Sequence, residues 1–168
     1  FRVACAVPDV EVADVDFNIT QMKKFISDAK NEKVDLLVFP ELGITGYSCA
    51  DLFFQQALLN SAKAGIKSLI GECGNMIAAA GAPIEIDGSV YNCAVIIADG
   101  RIAGIIPKTF IPNYAEFNEK RWFSSAADLR KDYVSSKIFG IDEDYEIPVG
   151  SFVFDAKGVK IGFEVCED

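Results

Sequence analysis

The sequence predicts an α/β domain built on a mixed sheet with helices packed against it, and three observations carry that expectation. Short apolar runs alternate with helix-periodic segments through the first half of the chain, in the order strand, helix, strand, helix. Two Asp-Gly pairs, Asp87-Gly88 and Asp99-Gly100, then stand at the ends of alternating apolar runs, where both turn positions of a tight hairpin need positive φ. Finally, 168 residues of which 51% are hydrophobic and 24% charged are enough for one globular domain with a large core.

Each element follows in chain order. The alternation Val3-Ala4-Cys5-Ala6-Val7 within residues 2–7 reads as a mostly buried strand. Asp16-Phe17-Asn18 opens a helix whose apolar face is Phe17, Met22, Phe25, Ile26 and Ala29. Residues 34–39 are almost wholly apolar, as in a strand covered on both faces, and Pro40 ends the run because it cannot donate to a ladder. Asp51 is expected to cap a second helix over residues 52–71. Residues 75–86 read as a strand despite their alanines, and runs at 89–98 and 101–106 complete an antiparallel meander. From Pro107 to Gly150 the pattern dissolves into a long, aromatic-rich stretch with an acidic tract, Asp142-Glu143-Asp144; such loops carry function or move. Strands return at 151–155 and 159–165 around a turn at Lys157-Gly158.

Charge and composition narrow the chemistry. With 16 Lys and Arg against 25 Asp and Glu, a net charge of −9, the chain lacks the basic surface that a nucleic acid requires. It has no histidine, so any catalysis must run on Cys, Lys, Tyr, Asp and Glu. The five cysteines include no close ligand pair, which argues against a zinc site. Their odd number, with no secretory leader and no apolar run of about 18 residues, predicts a soluble protein of the reducing cytoplasm, not bound to a membrane. The first residue is not Met and the last three are Cys166-Glu167-Asp168 at the end of a strand, so both ends are expected to be internal to a longer polypeptide.

Three polar residues lie just past hydrophobic strands: Glu41 after LLVFP, Lys108 after IAGIIP and Cys166 after KIGFEV. Strand ends of a rigid sheet are where α/β proteins assemble their sites. Taken singly, each has a plainer explanation: a solvated loop charge for Glu41 and Lys108, a small core hydrophobe for Cys166, as is expected for Cys5 and Cys93. Cys49 and Cys73 give no signal either way. The combination is sharper. Without histidine, a carboxylate can deprotonate a thiol, and a neighbouring ammonium both favours the thiolate and stabilises the oxyanion formed when sulfur attacks a carbonyl. Glu, Lys and Cys therefore supply base, electrophilic stabiliser and nucleophile for acyl transfer from an amide or nitrile.

Glu41 lies in PELGITGY, Lys108 in PKTFIPNYAEFNEKRWF and Cys166 in GFEVCED, and in order and spacing these motifs resemble the Glu-Lys-Cys carbon–nitrogen hydrolases of the nitrilase superfamily. Within it, PELGITGYSCADLFFQQALL and KTFIPNYAEFNEKRWF resemble the glutaminase domain of glutamine-dependent NAD synthetases, over a span from about Val3 to the last residue. The resemblance implies a four-layer α-β-β-α sandwich, of which residues 1–168 are the N-terminal part, followed by the rest of that domain and a C-terminal synthetase domain. It implies Glu41 as general base, Lys108 as oxyanion-stabilising lysine and Cys166 as nucleophile. Glu119 matches a second glutamate that fixes the lysine, and the Glu167 peptide N–H would be a further oxyanion donor. Tyr47, Tyr114 and Phe117 match aromatics shaping a glutamine pocket. Glutamine is the implied substrate and a homo-oligomer the expected assembly. No metal or cofactor is expected in this chain, ATP and Mg²⁺ belonging to the synthetase domain.

Two other readings stay open at this stage. One is a free-standing amidase or nitrilase, which EKRWF alone does not exclude; the other is a non-catalytic α/β scaffold, which has no need of Glu41, Lys108 and Cys166 together. Glu119 can also be read as a surface partner of Arg121, and Tyr114 and Phe117 as ordinary loop anchors.

Overall fold

The computed structural model describes all 168 residues. Strand β1 (Val3–Cys5), helix α1 (Val15–Asn31), strand β2 (Leu36–Val38), helix α2 (Gln56–Cys73) and strands β3 (Ile77–Ile86), β4 (Ser89–Ala98) and β5 (Arg101–Pro107) form the main body. A ribbon of β6 (Tyr133–Ser135) and β7 (Glu146–Pro148) and a closing hairpin of β8 (Val153–Ala156) and β9 (Val159–Gly162) complete it. Five strands make one sheet in the order β1-β2-β3-β4-β5. The connections that carry helices join parallel neighbours, β1 to β2 and β2 to β3, as crossovers must. The two Asp-Gly turns join antiparallel ones, with φ of 50° and 51° at Asp87 and Asp99 and 79° and 71° at Gly88 and Gly100.

The pleat sorts β4 onto two faces. Tyr91, Cys93, Val95 and Ile97 enter the large core shared with α1 and α2. Ala94 and Ile96 face the other way, where with Ala79 and Ile106 they are covered by Phe152, Phe154 and Phe163 of the closing hairpin segment. The stacking is helix, sheet, hairpin: the α-β-β part of the expected sandwich, with the second β layer represented by two strands.

Several expectations need correction. β1 is not buried: Val3 is 55% exposed and Cys5 is exposed, so Cys5 is not a core residue. β1 is the edge strand; Ala4 and Ala6 face the helices, whereas the aromatic cover on the opposite face reaches only β2 to β5. In α1 the buried face is Val15, Asn18, Ile19, Met22, Ile26 and Ala29, which leaves Phe25 exposed, and the cap is Asp14, accepting from Phe17 N–H at 2.9 Å. Asp51 caps nothing. Its carboxylate accepts from Arg121 Nε and Nη2, both at 2.7 Å, and from Trp122 Nε1 at 2.9 Å, while Ala50–Phe54 forms a separate 3₁₀ turn before α2 starts without a side-chain cap. The 107–150 stretch is ordered by short pieces too brief for periodicity to reveal, three-residue strands and single 3₁₀ turns.

One glycine positions the loop after β2. A Cβ on Gly81 would meet Leu42 N and Pro40 O at 2.4 Å, so the 40–44 backbone can lie directly on β3 only because residue 81 has no side chain. Phe39 N–H donates to Ala79 O at 2.9 Å and Ile44 N–H to Gly81 O at 3.1 Å, either side of Glu41. From within α1, buried Asn18 donates through Nδ2 to Ile44 O at 3.0 Å.

Gly81→Ala is expected to lower the thermal unfolding midpoint, a loss of about 1–3 kcal/mol from overpacking. Gly71→Ala, at an exposed position of α2 with nothing within 4 Å of the added carbon, is expected to raise it, by about 0.5–1 kcal/mol. Paired melting curves of the two variants check the assignment.

Candidate active site

Four of the residues singled out from the sequence meet at one point. The register Cys93↔Pro107, carried one step further, sets Lys108 opposite Asn92, and Lys108 N–H donates to Asn92 O at 2.8 Å. Lys108 has no solvent exposure. Its Nζ donates to Glu41 Oε1 at 2.8 Å and to Glu119 Oε1 and Oε2 at 2.9 and 3.1 Å. Glu119, 1% exposed at the start of a 3₁₀ turn (Glu119–Arg121), also accepts from Tyr47 OH at 2.7 Å. It makes no surface pair with Arg121, which is taken by Asp51.

The electrostatics are those of a compensated buried cation. Burial alone would pull the Lys108 ammonium down, but the hydrogen bonds and charges of Glu41 and Glu119 outweigh it and hold the group above the ordinary lysine range. Burial, then the Glu119 carboxylate, push the Tyr47 hydroxyl well above the usual phenol range. The two carboxylates are not equivalent: the Glu119 side chain is sealed, whereas that of Glu41 keeps 23% exposure.

Cys166 stands in the turn after β9 with φ of 56°, a left-handed conformation unusual for a side-chain-bearing residue. It is exposed, and with Glu41, Gly81, Ala94 and Phe163 it lines a cavity of about 130 Å³. Two residues on, Asp168 Oδ1 accepts from the N–H groups of Thr109 and Phe110, both at 2.8 Å, which ties the cysteine turn to the backbone leaving Lys108. The other cysteines are poor candidates. Cys49, Cys73 and Cys93 are buried, and burial pushes their thiols up, that of Cys73 to about 11; Cys5 lies on the far edge strand.

Tyr114 and Glu167 wall a second, open cleft of about 680 Å³, and the Tyr114 hydroxyl donates to the Glu167 carboxylate. Phe117 meets Tyr114 edge-on at 5.7 Å. The structure thus joins Glu41, Lys108, Glu119 and Tyr47 by direct contact and sets Cys166 on the same cavity as Glu41. Tyr114, Phe117 and Glu167 form a neighbouring group. Two participants escaped the sequence reading: Asn92, whose Nδ2 donates to Glu41 Oε1 at 2.6 Å, and Asp168. Asn92 had a signal, a single amide inside the apolar run of β4. Asp168 had none. No three His, Cys, Asp or Glu side chains converge as metal ligands, and no helix is long and apolar enough to cross a membrane.

Comparison with known proteins agrees with this architecture. A family model described as carbon-nitrogen hydrolase matches residues 2–168. The chain is 30% identical over 168 residues to a glutamine-dependent NAD(+) synthetase of Xanthomonas campestris, covering 99% of this chain and 27% of that protein. For one from Mycobacterium bovis the figures are 28% identity over 169 residues, 99% and 24%, so the chain spans about a quarter of these relatives. Among solved structures, a glutamine-dependent NAD(+) synthetase from Cytophaga hutchinsonii superposes with a TM-score of 0.89 at 30% identity, covering 100% of this chain and 28% of that one. The NitN amidase of a Nesterenkonia species shares the fold at 15% identity, with a TM-score of 0.74 over 99% of this chain and 57% of its own.

The Lys108 cluster makes stability depend on alkaline pH. An ammonium whose folded value is raised contributes fully below lysine's ordinary 10.5, and the contribution fades as pH rises through the higher folded value. Raised Tyr47 acts in the same direction, because the unfolded chain ionises first above the ordinary 10.0. The unfolding midpoint is therefore expected to hold to about pH 9 and to fall beyond about pH 10. Lys108→Met is expected to lower stability at neutral pH by about 3–5 kcal/mol, since it leaves facing carboxylates unpaired, and to flatten the alkaline fall.

Proposed function

Since the chain belongs to the carbon–nitrogen hydrolase family, we propose that it is the glutaminase part of a glutamine-dependent NAD synthetase, releasing ammonia from glutamine through a thioester on Cys166. The observation that carries the reading is the buried Lys108 between Glu41 and Glu119, beside a cavity shared by Glu41 and an exposed cysteine. A scaffold has no reason to keep a fully desolvated ammonium on a carboxylate that shares a cavity with an accessible thiol.

In the proposed cycle the Glu41 carboxylate takes the Cys166 Sγ proton and the thiolate attacks the side-chain amide carbon of glutamine. The oxyanion is held by the Lys108 ammonium and the Glu167 peptide N–H. Protonated Glu41 returns its proton to the amide nitrogen, the C–N bond breaks and ammonia leaves. Glu41 then takes a proton from water, hydroxide adds to the thioester carbon, and collapse expels the Cys166 thiolate, reprotonated by Glu41, with glutamate. Glu119, sealed from solvent and bonded to Lys108 and Tyr47, fixes the ammonium. Tyr47, Tyr114 and Phe117 are assigned to the glutamine pocket.

The partner in this reading is a C-terminal synthetase domain of the same polypeptide, in the cytoplasm, which would use the ammonia to amidate nicotinic acid adenine dinucleotide. ATP and Mg²⁺ are assigned to that domain, and the assembly is proposed to be a homo-oligomer.

In the complete enzyme, Cys166→Ala is expected to abolish NAD formation from glutamine and to leave formation from ammonium within about threefold of wild type, because only the nitrogen-supplying half loses its nucleophile. Equal loss of both activities would make Cys166 a structural residue. Residues 1–168 alone are expected to release glutamate at least about a hundredfold more slowly than the complete enzyme, because a cysteine held by fewer neighbours is easily displaced by 1 Å; turnover within tenfold contradicts this.

A further inference from the structure

Asn92 is a fully buried amide with no part in the cycle above. It sits on β4 directly across from Lys108, in the Ala94 and Ile96 set of the pleat, so its side chain shares the sheet face on which the cavity opens. Nδ2 donates to Glu41 Oε1 at 2.6 Å, the same oxygen that receives Lys108 Nζ at 2.8 Å. Oδ1 is buried and has no partner. A strand interior could carry an apolar residue here at no such penalty, so the unpaired oxygen is a cost retained for what the other end of the amide does. Turning the amide over would set Oδ1 against a carboxylate oxygen, which fixes Nδ2 as the donor.

We infer that Asn92 is a positioning residue that decides which oxygen of Glu41 carries the proton during catalysis. The inference rests on the proposed glutaminase reading. Oε1 is engaged by two donors, and Oε2 receives no hydrogen bond from the protein. A proton arriving on Oε1 would face the Asn92 N–H and the Lys108 ammonium, so it goes to Oε2. Without Asn92, Oε1 keeps Lys108 alone and the carboxylate can rotate, so a proton can be stored where it does not reach the leaving nitrogen. The charged or titratable groups around Glu41 are Lys108 from the end of β5, Glu119 beyond it, Tyr47 bonded to Glu119, and, lining the same cavity, Cys166 and Glu164 from the segment after β9 and Cys93 from β4. Asn92 is the neutral one of the two side chains that donate to Glu41.

The test uses the complete enzyme and measures glutamate release against pH for wild type, Asn92→Ala and the isosteric Asn92→Asp, with ammonium-dependent NAD formation as the control for folding. Both variants are expected to lower kcat, by about tenfold for Asn92→Ala and on the order of a hundredfold for Asn92→Asp, with KM for glutamine within threefold. In both, the acid limb of the kcat/KM profile moves to higher pH, because a donor to the charged carboxylate is gone. Ammonium-dependent activity stays unchanged. Superimposable pH profiles with kcat within threefold of wild type would overturn the inference, as would a parallel loss of glutamine- and ammonium-dependent activity. If Asn92→Ala does not fold, Asn92→Asp, which leaves no cavity, decides alone. Wild type without glutaminase activity removes the underlying reading instead, a result visible before any variant is compared.

Discussion

A lysine ammonium with no access to water can persist in a folded protein only if opposite charge is brought to it, since the desolvation penalty for an unpaired ion is several kcal/mol even after relaxation. Lys108 imposes that condition on three separate parts of the chain. The strand end of β5 delivers the ammonium, the loop after β2 delivers Glu41 and the 3₁₀ turn at Glu119–Arg121 delivers Glu119. Two of those segments have further anchors of their own: the loop after β2 has the glycine gap at Gly81 and the Asn18 amide, and the 3₁₀ turn has the Asp51 bridge to Arg121 and Trp122. The charge cluster and these backbone anchors require one another. Loosening any of the loops would strand a buried ion.

The division of labour between the carboxylates follows from the same constraint. Glu119 is sealed, bonded to Lys108 through both oxygens and to Tyr47, so its charge is committed to holding the cation. Glu41 keeps one oxygen free and part of its surface open to a cavity that also reaches Cys166. One carboxylate is a sealed counter-ion and the other is left open to the cavity, a difference of burial and hydrogen bonding between two identical side chains. The cysteine is brought alongside by backbone: the Asp168 carboxylate grips the two peptide N–H groups after Lys108.

Much of this was legible in the sequence where local signals are strong. Both Asp-Gly turns, the β4 strand from Ser89 to Ala98 and the strand-end positions of Glu41 and Lys108 follow from turn chemistry and period-two patterning. The failures have a common cause in long-range contacts that no local window contains. Asp51 has the residue type of a helix cap, but a guanidinium 70 positions away offers a bidentate pair and takes it. Val3-Ala4-Cys5 alternates like a buried strand, yet its place at the sheet edge exposes one side. Asn92 was visible as a polar residue in an apolar strand, but its partner, Glu41, is fixed by tertiary structure alone.

The central claim is that Lys108, held between Glu41 and Glu119, serves a nucleophile at Cys166, and a covalent intermediate tests it most directly. The measurement is the intact mass of the complete enzyme, acid-quenched during turnover with glutamine, followed by peptide mapping of the adduct. The account predicts one added glutamyl group per chain, located on Cys166 and lost when Glu41 is replaced by Gln. A glutamyl group on another cysteine, or steady glutamate release with no adduct in an enzyme carrying Cys166→Ala, would contradict it.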